Sequence, residues 1–249
     1  MKPHSSTGSL VELVGAPWEI SRLMIPVTPD SNRTRVSDIY GKAGGNKDYS
    51  SIIYLAPDHG IGFSIIVAGE TASTARWPLR DAIGETFIPA AEQAVVENAK
   101  KNLAGTFRDE NSEGTNLTLT IDDGHPGLGL ESFYIKGVDS RWVLIGLTEP
   151  TDVAPRIFPT GISSFSKSLS NLYKTNGTMR MSHRMIAYIP PVPPRAAVEG
   201  GKGGLFDNSL SWGNLDFAGA EDEFIFEIAD GRLRSVASSG ADIVLKRDN

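Results

Sequence analysis

A chain of 249 residues, 40 % of them apolar and 22 % charged, can bury one large core or two ordinary ones, which excludes global disorder. The net charge of −6, without a cluster of Lys and Arg, excludes a surface that tracks phosphates, so no nucleic-acid partner is expected. Cysteine is absent, which excludes disulfides and thiolate metal sites.

In chain order, Met1 to Leu10 carries no basic segment followed by an apolar run, so a signal peptide is not expected. Every apolar run falls short of the roughly 18 residues a membrane span requires, and no membrane partner is expected. Ser9–Gly15 and Trp18–Val27 read as strands separated by the turn-prone Gly15-Ala16-Pro17, and Thr34–Tyr40 alternates as a third. Tyr49–Ala56 and Ile61–Ala68 are rich in β-branched and aromatic residues. Pro57-Asp58-His59-Gly60 joins them, which predicts an antiparallel hairpin. The period then changes: Ile83, Phe87, Ala91, Val95, Ala99 and Leu103 recur in steps of four, the spacing of one helix face. On this reading the helix covers 77–104 and buries Phe87. Pro89 kinks it, Glu85, Glu92 and Glu97 lie off the stripe, and Gly105 stops it.

Beyond Gly105 the text returns to short strands: Leu117–Ile121, Leu128–Ile135, Trp142–Leu147, Met179–Ile189, Phe224–Ile228, Leu233–Ala237 and Ile243–Leu245. Asp-Gly, Lys-Gly and Ser-Gly turns punctuate them, the pattern of an antiparallel barrel or sandwich. Pro190–Gly204, rich in proline and glycine, reads as a loop excursion. The fold class is therefore α+β. A partial antiparallel sheet with a terminal helix occupies 1–104, and an antiparallel β-barrel or sandwich occupies 105–249.

Generic catalytic patterns are absent from the text. His4, His59, His125 and His183 are widely spaced and read as ordinary surface histidines rather than metal ligands, so neither metal nor cofactor is expected. Glu221-Asp222-Glu223 reads as a solvated turn before the Phe224 strand. Trp212, Phe217, Phe224 and Phe226 read as core, with the lining of a barrel pocket as the alternative.

Several ordered segments carry a resemblance. Val14-Gly15-Ala16-Pro17-Trp18-Glu19-Ile20, then Tyr40-Gly41-Lys42-Ala43-Gly44-Gly45 with Tyr49-Ser50-Ser51, then Tyr54 to Phe63, follow one another as in the carboxy-terminal part of fungal serine β-lactamase-like proteins. Ala104-Gly105-Thr106-Phe107 and Asp122-Asp123-Gly124-His125-Pro126-Gly127-Leu128 resemble the opening of the β-domain appended in those proteins. The resemblance implies that Lys42, with Tyr40 and Gly44 on the same strand, occupies the substrate-binding lysine strand. It also implies a hydroxyl after that lysine, where this chain has Ala43.

The family's nucleophile belongs to a Ser-x-x-Lys far upstream of the lysine strand, with a Tyr/Ser-x-Asn element between. Neither precedes Lys42 here. The single Ser-x-x-Lys, Ser164-Phe165-Ser166-Lys167, has the wrong place and order, and Lys174-Thr175 is followed by Asn176 rather than glycine. The leading expectation is an incomplete or non-catalytic member of this hydrolase family. The alternative is a natural-product binding or cyclase-type protein using a pocket in the β-domain, which would take a small-molecule ligand. The resemblance further implies an open edge at Ile61–Ala68. Three coverings are weighed for it: the Ser9–Val14 segment folding back, a second copy in a homodimer, or a separately encoded amino-terminal half.

Overall fold

The computed structural model describes residues 3–28, 31–122, 124–142, 153–165, 177–188 and 221–248. They fall into two compact units, 1–97 and 98–249. The α+β class holds, with a partial antiparallel sheet and one long helix, then an antiparallel barrel.

The first unit is a six-stranded antiparallel sheet in sequential order: β1 (Ser5–Ser6), β2 (Glu12–Val14), β3 (Glu19–Pro26), β4 (Thr34–Asn46), β5 (Tyr49–Ala56) and β6 (Ile61–Ala68). Strand β4 runs past the expected Tyr40, because Lys42 to Asn46 continue the ladder against Ile53 to Tyr49. The β5–β6 hairpin turns through a short 3-10 segment at Pro57–His59, with Gly60 in the left-handed region that glycine adopts without strain. Helix α1 (Ala72–Asn102) covers one face: Ile88 buries against Ile25, Ile39, Ile52, Tyr54, Ala56 and Ile65.

The buried side of α1 is not the expected stripe. Phe87 is 60 % exposed and Val95 is also exposed, whereas Ala72, Ile88 and Glu92 are buried. Steps of four marked an apolar row, but Pro78 and Pro89 lie within the helix and a buried carboxylate occupies the sheet-facing side. The Ser9–Val14 segment does not cover the β6 edge either. Its β2 pairs with β1 and β3 at the far side of the sheet.

The second unit is a closed antiparallel ring. Its strands are β7 (Gly105–Arg108), β8 (Asn116–Thr120), β9 (Leu128–Ile135), β11 (Ala154–Phe165), β12 (Thr178–Tyr188), β13 (Glu223–Ala229), β14 (Arg232–Ser238) and β15 (Ile243–Arg247). β15 returns to pair with β7, and β8 pairs with β9, so the ring has no edge; the short β10 (Val138–Asp139) only extends a hairpin from β9. Side chains fill the interior: Phe107, Phe133, Phe224, Phe226, Leu117, Leu233, Val236 and Leu245 are fully buried. Phe224 and Phe226 are thus core. Trp212, Phe217, Val143–Leu147, Pro190–Gly204, Lys174-Thr175 and Lys167 lie outside the described residues.

The Asp122–Leu128 segment is clamped by Arg156, which is itself buried. Its guanidinium donates to Asp122 Oδ2 at 2.5 Å, Pro126 O at 2.8 Å and Gly127 O at 2.8 Å. The acidic triplet is not a solvated turn. Asp222 is buried and chelated by Arg184 at 2.5 and 2.9 Å, and Glu223 accepts from Ser182 and Ser239, so two of its three carboxylates are structural.

Two histidines expected at the surface turn their side chains inward. His59 has no exposed side-chain area, and His183 stacks on Phe226 with centroids 3.9 Å apart. Burial pushes the His183 imidazole down to about 4, against a smaller upward pull from the Met181 carbonyl. The unfolded chain therefore binds a proton near pH 6.5 that the folded barrel refuses. Stability from this residue is complete above pH 6.5 and is lost as pH falls toward 4, with a slope of up to about 1.4 kcal/mol per pH unit. Urea titrations of wild type and His183→Phe across that window should differ in slope. Equal slopes would show that His183 is protonated in the fold.

Candidate functional site

Strand alternation sorts β4 into two faces. Ile39 and Ala43 point to the helix-covered core, so Tyr40, Lys42 and Gly44 share the opposite face. The three residues expected at the site are thus brought onto one line of an interior strand. Tyr40 is buried, and its ring meets Trp18 edge to face at 6.4 Å. Lys42 is exposed. Its ammonium donates to the carboxylate of Glu19 and to Ala43 O at 3.0 Å.

Gly44 lies at the exposed end of the row. A Cβ there would meet only Ser51 Oγ at 3.5 Å, an ordinary contact, so packing within the sheet does not demand glycine. Its carbonyl accepts from Arg76 Nη1 at 3.0 Å, and the same nitrogen donates to Ser50 Oγ at 2.6 Å. Gly41 is the glycine that packing requires: a Cβ there would fall 2.6 Å from the Tyr54 ring.

Beside Tyr40 lies a cavity of about 350 Å³ lined by Arg22, Val36, Asp38, Tyr40, Pro57 and Asp58. Arg22 forks onto Asp38 at 2.9 and 3.2 Å, so the lining of this cavity includes an ion pair. On the helix-covered side, a second cavity of about 420 Å³ lies between β3 and α1, with Leu23, Ile25, Phe63, Arg80 and Ile88 in its wall.

A partly buried charge cluster ties the sheet to the helix. Arg35 Nε and Nη2 donate to the two Glu92 oxygens at 2.7 and 2.6 Å, Arg35 Nη1 reaches Asp58 at 3.0 Å, and Ser37 Oγ donates to Asp58 at 3.1 Å. His59 Nε2 lies 2.8 Å from Glu92 Oε2 and 3.2 Å from Arg35 Nη2, which closes the cluster. Burial alone would raise the Glu92 carboxyl. The hydrogen bonds from Arg35 and His59 more than reverse this and hold it below the usual carboxylate range.

The partners of the site row were missed in sequence reading, because Glu19 and Arg22 reach Lys42 and Asp38 only through the β3–β4 register. Ser164 of the lone Ser-x-x-Lys lies exposed on β11, on a different unit from Lys42. No group of three or more His, Asp or Glu side chains suited to a metal occurs among the described residues.

The fold and the ordered motifs define a class. Residues 95–249 match the family described as "Beta-lactamase-like-like, C-terminal domain", and the chain belongs to that family. Among curated proteins, it is 28 % identical to a beta-lactamase-like protein of Arthroderma benhamiae, over 92 % of this chain and 40 % of that protein. It is 25 % identical to the probable hydrolase clz13 of Cochliobolus lunatus, over 50 % of this chain and 20 % of that protein. It is 24 % identical to the probable hydrolase M10 of a Phoma species, over 44 % and 18 % respectively. The chain therefore spans well under half the length of these relatives. No solved structure matches.

Proposed function

We propose that these 249 residues act as an incomplete, non-catalytic part of a serine β-lactamase-like hydrolase, presenting a substrate-facing lysine strand without an activated nucleophile. The observation that carries this reading is the engagement of Lys42. Its ammonium donates to Glu19 and to Ala43 O, which leaves one of its three N–H groups for a ligand, with Tyr40 beside it. A lysine held by two acceptors acts as a positioned cation; a base for a serine needs a free lone pair aimed at a hydroxyl. Ala43 turns into the core beneath α1, so the position after the lysine contributes packing rather than a hydroxyl.

On this reading Lys42 and Gly44 orient an acyl substrate's anionic group and carbonyl, while Tyr40 forms the apolar floor. The serine and its own lysine come from sequence beyond these 249 residues, as an amino-terminal portion of the same hydrolase or a separately encoded half. The packed barrel interior supports this over a natural-product binder using the barrel as a pocket.

The test is acylation. The purified chain should neither hydrolyse a chromogenic cephalosporin nor retain a fluorescent penicillin through gel electrophoresis. Stoichiometric labelling that disappears in Ser164→Ala would overturn the proposal and make the lone Ser-x-x-Lys a working nucleophile.

A further inference from the structure

The ion pairs of the first unit differ in how firmly they are held. Arg22 forks onto Asp38 through two nitrogens, and Arg35 grips both oxygens of the buried Glu92. Lys42 meets Glu19 through the single oxygen Oε1, and the two side chains are 46 and 56 % exposed. An exposed pair of this kind holds its partners weakly, because water solvates each of them almost as well.

The Glu19 backbone is fixed while its carboxylate is not. Glu19 opens β3 and pairs with Val14 of β2 on one side and with Gly41 of β4 on the other. The β3–β4 ladder ends at that pair, so Glu19 stands one residue short of Lys42. Its carboxylate has no second hydrogen bond among the described residues. It can therefore swing off the ammonium without breaking another contact. Lys42 keeps its bond to Ala43 O when that happens, so the cation stays placed on the strand.

We propose that Glu19 is a specificity-determining residue of the Lys42 site: its carboxylate holds the place that a ligand's anionic group takes, and an anionic ligand binds by displacing it. This rests on the reading of Lys42 as the positioned cation for an acyl substrate. With Glu19 in place the pair is formally neutral. A neutral carbonyl can then use the remaining N–H without opposition, whereas a carboxylate meets a like charge beside its cation. Glu19 thereby turns away anions that Lys42 alone would hold and admits those that gain contacts elsewhere.

The test reads Lys42 chemically in the whole chain. Its acetylation is followed by peptide mass spectrometry with neutral N-hydroxysuccinimidyl acetate and with the anionic sulfonated form of the same reagent. Lys47, exposed on the neighbouring turn, is the internal standard. Glu19→Gln should raise the anionic-to-neutral rate ratio at Lys42 about threefold to fivefold, the range of an exposed pair, and leave the ratio at Lys47 unchanged. A change in amine basicity moves both reagents together and cancels in the ratio. Because Glu19 is exposed, the variant should melt with wild type. Phenylacetate should protect Lys42 at a several-fold lower concentration in Glu19→Gln than in wild type, and its methyl ester should show no such difference. An unchanged rate ratio would overturn the inference. Equal protection by phenylacetate in both proteins would also overturn the role of Glu19, while leaving Lys42 as the partner of an anion. Protection in neither would overturn both readings together.

Discussion

Replacing Phe226 by alanine should cost the barrel about 3–5 kcal/mol, the range for truncating a fully buried aromatic. Phe226 has no exposed area and lies face to face with His183, while the neighbouring Phe133 and Phe224 rings meet at 5.6 Å in the same core. A closed ring cannot easily slide inward to fill the void, because each strand is hydrogen-bonded on both sides. The control is Phe87→Ala on the exposed side of α1, together with Lys42→Ala on the sheet. Both should change stability by no more than about 0.5 kcal/mol. Urea denaturation of the three variants checks the contrast. A Phe87→Ala loss as large as that of Phe226→Ala would mean that this helix face is covered in solution.

Glu92→Ala should be the most damaging change in the first unit, at about 3 kcal/mol. It strips both hydrogen bonds from the Arg35 fork and the acceptor from His59, and leaves a cation without its carboxylate. Arg35 retains Asp58 and is partly exposed, so water and a second carboxylate relieve part of the loss. The same residue predicts acid sensitivity. The Glu92 carboxyl titrates lower in the folded protein than in the unfolded chain. Its contribution is therefore complete above the ordinary carboxylate range and disappears as pH falls through the folded value. Thermal melts of wild type and Glu92→Gln should converge as pH drops below 4. Wild-type stability independent of pH down to 2 would sink this account.

What the sequence showed depended on how local the signal was. The β5–β6 hairpin was legible because Pro57-Asp58-His59-Gly60 sits between two β-branched runs. The barrel was legible as barrel or sandwich from its spaced Asp-Gly and Lys-Gly turns. Strand β11 was not, since Pro155, Pro159 and Gly161 mask a twelve-residue strand that tolerates them through a register shift between Pro159 and Ser163. The helix was found but its packed side was misassigned, because a charged residue carries the burial at Glu92. The alternating run was read as ending at Tyr40, so the common face of Tyr40, Lys42 and Gly44 came only with the ladder that carries β4 on to Asn46. Nothing local marks Glu19 as the partner of Lys42, or His59 as a residue that turns inward, because both depend on contacts made across strands.

The closure of the barrel sets an order of events during synthesis. The seam joins β7 to β15: Arg108 pairs with Lys246 and Phe107 with Arg247. Arg247 also gathers the carbonyls of Asn102, Leu103, Ala104 and Leu233, and its guanidinium rests over the Phe107 ring. A ribosome that has completed β7 must therefore translate through Arg247 before that strand acquires its second neighbour. Until then Phe107 and the other inward rings remain accessible to chaperones and to each other. Such distant pairing slows folding and lengthens the period of exposure. Substitutions along the seam should accordingly lower the yield of soluble protein in cells by more than their effect on equilibrium stability alone would imply.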